Sequence, residues 1–163
     1  MSAKDRIRLL QGEIARTLRA MDEAEANHRR FREDFPPVPT ERNYDLVILA
    51  DIITDYYTCV ETALVRIART FENDLEERRW HASLLERMNV DVPRVRPRVV
   101  TDETHRHLHE LMRFRHFRRY YFDRKYDRDR MTLLECSFRL SMPLVRADLN
   151  RFVDFLEKLS EQT

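Results

Sequence analysis

An all-α fold, an up-and-down helical bundle of about five helices forming one domain over 1–163, is predicted by three features of the chain. The sequence holds a single glycine, Gly12, in 163 residues. Its 42% hydrophobic content supports a core, while 36% charged residues point to long helices with heavily charged outer faces. Apolar residues recur at three- and four-residue steps between proline-marked breaks. A chain of this length buries roughly two thirds of the surface its unfolded form exposes, so it folds without staples.

Ile7, Leu10, Ile14 and Leu18 set an amphipathic helix over 4–32, which ends at Pro36-Pro37-Val38-Pro39. Thr40 is the expected N-cap of a central helix reaching about Thr70, with Leu46, Leu49, Ile53, Tyr56, Val60, Leu64 and Ile67 on one side. A shorter helix is expected from about Glu76 to Met88, apolar at Trp80, Leu84 and Leu85. The prolines of Asp91-Val92-Pro93-Arg94-Val95-Arg96-Pro97 predict an ordered loop. Thr101 or Asp102 caps a fourth helix that carries Leu108, Leu111, Met112 and Phe114 and runs to about Phe122. A turn over 123–127 precedes a last segment from about Arg128 to Leu159, where Pro143 predicts a kink or break near Ser141. There is no internal repeat and no second composition regime, so one domain is expected.

A lone glycine excludes several chemistries, because phosphate-cradling loops and dinucleotide folds need glycines where backbone meets ligand or turns to positive φ. Neither a P-loop, a Rossmann fingerprint nor a Gly-x-Ser-x-Gly elbow can be built from this sequence. Cys59 and Cys136 sit in helical apolar patterns, no signal-like segment follows Met1, and the longest aliphatic run, Leu46 to Ala50, is too short to span a bilayer. A reduced, cytoplasmic protein without membrane attachment is the expectation.

The net charge of +1 conceals local polarity: Arg113 to Arg130 holds eight Arg or Lys against three Asp. Within it, Phe114-Arg115-His116-Phe117-Arg118-Arg119-Tyr120-Tyr121-Phe122 interleaves cations with aromatic rings. Guanidiniums offer forked donors for phosphate, rings can stack unpaired bases, and imidazole titrates near neutrality. Helical geometry groups Arg115, Arg119 and Phe122 on one face and His116, Tyr120 and Asp123 on another. Arg115 and Arg119 would clamp phosphate, His116 would move protons, and Tyr120 would donate a hydroxyl hydrogen bond. That set serves phosphodiester chemistry with neither metal nor cofactor, and favours RNA, whose 2′-hydroxyl is an internal nucleophile. A second account of the same residues has the rings in the core and the arginines in ion pairs.

The segment Leu111 to Leu133, LMRFRHFRRYYFDRKYDRDRMTL, resembles the HepT-like branch of the HEPN domain family. The tyrosine-bearing helix from Asp51, the Trp80-His81 pair, Val92-Pro93-x-Val95-Arg96-Pro97 and the closing Asp148-Leu149-x-Arg151-Phe152-x-x-Phe155-Leu156 are similar to the same pattern, from about residue 44 onward. The resemblance implies an all-α protein that forms a homodimer, with two Arg-x4-6-His motifs facing each other as a metal-independent endoribonuclease site acting on RNA. It also implies a toxin–antitoxin module, whose antitoxin is a minimal nucleotidyltransferase that transfers AMP to a tyrosine in Arg-x4-His-x-Tyr.

Counted from Arg115, Tyr120 stands where the motif His belongs and Phe122 where the modified Tyr belongs. His116 would then serve as acid or base, and AMP would go to Tyr120 or Tyr121. The alternatives are a catalytically degenerate HEPN module that binds RNA or a partner without cutting, and an interaction bundle that pairs its basic face with an acidic partner. Arg98 and His105 match Arg-x6-His only across an expected helix start. His105, His107 and His109 do not complete a tetrahedral zinc set. Tyr56, Tyr57 and Trp80 read as core or interface residues.

Overall fold

The computed structural model describes residues 1–37, 43–72, 80–120 and 125–162, and of Trp80, His81, Ala82 and Tyr120 the backbone alone. Among these residues are five helices: α1 (Ala3–Asp34), α2 (Tyr44–Phe71), α3 (Trp80–Met88), α4 (Asp102–Tyr120) and α5 (Arg128–Glu161). Ser2 opens α1 with a capping box, its Oγ accepting the Asp5 N–H at 3.1 Å while Asp5 Oδ2 accepts the Ser2 N–H at 3.1 Å. Asp127 opens α5 by accepting the Arg130 N–H at 2.8 Å. Asn43, rather than Thr40, holds the N-cap position of α2, and Thr40 lies outside the described residues. So do Glu76, the expected start of the third helix, and Phe122, the expected end of the fourth.

Pairs of residues across the helices fix their directions. Arg66 meets Glu13 and Cys59 meets Thr17, so α1 and α2 are antiparallel. Arg146 meets Asp22 and Glu135 meets His28, so α1 and α5 are antiparallel too. Arg115 meets Glu61 and Arg118 meets Asp51, which sets α4 against α2. Arg128 meets Asp45, and Ser141 meets Tyr56, which leaves α2 and α5 parallel across the bundle. The up-and-down arrangement follows, with the short α3 packed on α2 and α4.

The core runs along the middle of this arrangement. Leu10, Ile14 and Met21 of α1, Ile53, Tyr56 and Leu64 of α2, Leu111 of α4, and Phe138, Leu149 and Phe152 of α5 are all buried. Each large apolar side chain of this kind contributes about 1.5–3 kcal/mol through removal from water. Buried charges are paired where they cross between helices: Asp45 takes Arg128 at 2.8 and 3.0 Å, and that contact holds its carboxyl below the usual range.

The loop after α3 is ordered by a fully buried guanidinium. Arg96 donates from Nε to Glu72 at 3.0 Å, from Nη1 to the Val90 and Pro97 carbonyls at 3.2 Å, and from Nη2 to the Arg87 carbonyl at 3.0 Å. A single bridge joins Val92 to Arg96 around Arg94, whose φ of 64° lies in the left-handed region. Beyond it, buried Asp148 of α5 accepts the Thr101 N–H at 2.9 Å and the Thr104 hydroxyl at 2.6 Å, pinning the start of α4.

Of the kink or break expected near Ser141, the break is absent, and α5 is continuous for 34 residues. Pro143 and Arg139, whose carbonyl loses its helical partner, are both exposed, so water can satisfy that group. Phe138, Met142, Val145 and Leu149 hold the flanking turns against the core.

Candidate functional site

Among the described side chains of α4, Thr104, Leu108 and Leu111 are the buried ones, at steps of four and three. Continuing that rhythm gives Arg115 and Arg118. The core-facing stripe of α4 therefore ends in two cations, and they meet acids of α2. Arg115 Nη1 donates to Glu61 Oε2, and the guanidinium carbon lies 5.7 Å from the centre of the Tyr57 ring. Glu61 and Tyr57 are buried, and the Arg115 side chain is 26% exposed. Burial, then the adjacent Glu61 charge, pushes the Tyr57 phenol well above its ordinary range, with Arg115 pulling the other way.

Arg118 ties α4 to α2 more extensively. It donates to Asp51 Oδ1 at 2.6 Å and, at 3.0 Å each, to the Ala50 carbonyl, Thr54 Oγ1 and the Tyr126 hydroxyl. Desolvation lowers its pKa, and Asp51 and Tyr126 together more than offset this. Arg118 is thus a structural clamp, and Glu61 is the acid that holds Arg115. Neither was singled out from the sequence, although the continued three-and-four spacing marks Arg118 as inward-facing.

The outer face of α4 carries the other cations. Arg113, His116 and Arg119 are exposed and spaced three residues apart, with Arg113 lying 3.8 Å from Glu110. Arg115 and Arg119, expected on one face, are thereby separated: Arg115 is turned to α2 and Arg119, one turn later, is exposed. The Tyr120 side chain and Tyr121 lie outside the described residues.

Phe114 and Phe117 are partly buried against the core, their rings stacked at 6.5 Å, with Phe114 6.0 Å from Tyr126. The core account of these rings therefore holds for much of their surface. Both also line a cleft of about 650 Å³ between α4 and α5. Exposed Leu133 and Leu140 stand on its α5 side.

The three α4 histidines diverge. His105 lies 3.9 Å from Glu86 of α3 and stacks on His109 at 6.0 Å, while His107 lines the α4–α5 cleft. Arg98 reaches toward Asp102 at 3.8 Å, and α4 begins between it and His105. The side chains of Trp80 and His81 are outside the described residues. Among the described residues, no helix is long and apolar enough to cross a membrane.

The family model described as "HepT-like protein" matches residues 48–156, from early in α2 to near the end of α5. No curated protein and no solved structure matches the chain. The matched span is well over half of the chain and contains the Arg115–Glu61 pair, the cation row of α4 and the helices that frame them, so this protein belongs to the HepT-like family and has its helical HEPN fold.

Proposed function

We propose that this protein is a metal-independent endoribonuclease, the toxin of a HEPN/nucleotidyltransferase module, with the outer face of α4 as its RNA surface. The observation that carries this reading is the exposed row Arg113, His116 and Arg119, whose members rise about 4.5 Å apart along the helix. His116 accepts the proton of a ribose 2′-hydroxyl, whose oxygen then attacks the adjacent phosphorus. Arg113 and Arg119 neutralise the charge that gathers on the phosphoryl oxygens. The bond to the 5′-oxygen breaks, that oxygen takes a proton, and a cyclic phosphate remains on the upstream fragment. A second copy facing the first, as the family resemblance implies, doubles the acid–base equipment.

Incubation of purified protein with single-stranded RNA in EDTA tests the reading. The expected result is cleavage by the wild type and its loss in His116→Ala. Intact RNA with the wild type, or undiminished cleavage by the Arg115→Ala, His116→Ala pair, overturns it.

A second reading is favoured by Arg115, which is engaged by Glu61 and not presented outward, together with Tyr120 at the place of the motif His. On that reading the module binds RNA without cutting, and cleavage emerges only in Tyr120→His. For either, the antitoxin partner is a minimal nucleotidyltransferase acting on Tyr120 or Tyr121. Intact-mass analysis of the co-expressed pair reads out the AMP adduct.

A further inference from the structure

A second concentration of positive charge lies on the side of α5 that faces α1. Arg29 of α1 and Arg139 and Arg146 of α5 converge on a groove of about 670 Å³, with Glu25 at its edge and Pro143 in its wall. Arg146 is held by Asp22 at 2.5 Å, whereas Arg29 and Arg139 are exposed and make no ion pair among the described residues. Beside them the buried His28 lines the same groove and is bonded through Nε2 to Glu135 at 2.6 Å. The α1 wall lies outside the span matched by the family model, so this groove joins a helix within the matched span to one outside it.

We infer that the α1–α5 groove binds a phosphodiester segment of RNA, as a second contact separate from the α4 row. The inference rests on the RNA reading of the preceding section and extends it to the opposite flank of α5. Arg29 and Arg139 offer the forked geometry that phosphate oxygens accept, and with Arg146 held by Asp22 they outnumber the Glu25 carboxylate on the groove's edge. Arg29 and Arg139, from different helices, face one groove without spending their charge on acids. The His28–Glu135–Arg32 cluster fixes the wall rigidly: Glu135 also takes the Arg32 Nε at 2.6 Å. Pro143 and Met142 add apolar surface against which ribose or base can lie. A strand seated here would extend the footprint well beyond the α4 row.

Fluorescence anisotropy with a labelled single-stranded 2′-O-methyl RNA, which lacks the attacking hydroxyl, tests the groove. Arg29→Gln/Arg139→Gln should weaken binding at least fivefold at low salt. It should also flatten the log–log salt slope by about 1.4, since each single-strand phosphate contact contributes about 0.7. The charge-preserving Arg29→Lys/Arg139→Lys variant should retain the wild-type slope, which separates lost charge from a disturbed fold. Unchanged affinity and slope in the Gln pair, alongside weakened binding in Arg113→Gln/Arg119→Gln, overturns the groove and leaves the RNA reading standing. Weakened binding with an unchanged slope also overturns it, and no binding by the wild type at low salt overturns both.

Discussion

Arg115 of α4 donates to the buried carboxylate of Glu61 on α2, its guanidinium 5.7 Å from the Tyr57 ring centre. Removing one member of such a pair takes the neutralising charge from the other in a poorly solvated site, which costs about 3 kcal/mol. Arg115→Ala is therefore expected to lower the melting temperature by roughly 6–12 °C in a domain of this size. The Glu61→Gln/Arg115→Ala double variant should recover at least half of that loss, because no buried charge is left over. Calorimetry of the two singles and the double gives the coupling directly. The result bears on function too: activity lost in Arg115→Ala must be weighed against a loosened α2–α4 contact.

His116 and Arg119 are exposed, so truncating them should behave differently. His116→Ala and Arg119→Ala are expected to leave stability within about 0.5 kcal/mol of wild type. Cleavage should fall on the order of a hundredfold or more for His116→Ala if that imidazole moves the proton. Thermal melts and EDTA cleavage assays on the same preparations provide the comparison. Equal losses of stability and cleavage would move His116 out of the reaction and into the structure.

The helices were legible in the sequence because their signals are local. Apolar steps set α1, α2, α4 and α5, the single glycine pointed to long helices, and the prolines of 91–97 marked a real connection. What was not legible depends on the partner helix. Arg115 and Arg119 read as a pair of phosphate clamps until Glu61 of α2 is brought against Arg115, and Arg118 stood without a role until Asp51 met it. Likewise, nothing near Arg139 or Arg146 in sequence points to Arg29, more than 100 positions away, and only antiparallel packing of α1 on α5 makes the groove. Pro143 does not break α5 for the converse reason, since a local rule was overruled by contacts on both sides of it.

Replacing that proline tests how much the overruling costs. Pro143→Ala restores an N–H to an exposed position inside α5, where proline is about 3 kcal/mol worse than alanine in an unsupported helix. Part of that penalty returns as reduced freedom of the unfolded chain. A net gain of about 1–2 kcal/mol is expected, seen as a higher urea midpoint with an unchanged slope. A loss of stability would mean that the pyrrolidine ring is itself an important packing element in the α1–α5 groove.

Glu135 supplies an acid-side limit to stability. Burial opposes its ionisation, but the His28 hydrogen bond and then the Arg32 contacts outweigh this, and its pKa falls from 4.5 to about 2. A carboxyl depressed on folding stabilises the native state above its unfolded value and loses that contribution as pH falls toward the folded one. The loss should therefore fall between pH 4.5 and about 2, and amount to about 1–2 kcal/mol once partial solvation of the cluster is allowed for. Glu135→Gln removes the titrating group, so it should be less stable than wild type at pH 6 and should lose less stability on acidification. Urea midpoints at pH 6, 4 and 3 for the two proteins measure the difference, and parallel declines would show that Glu135 does not set the acid limit.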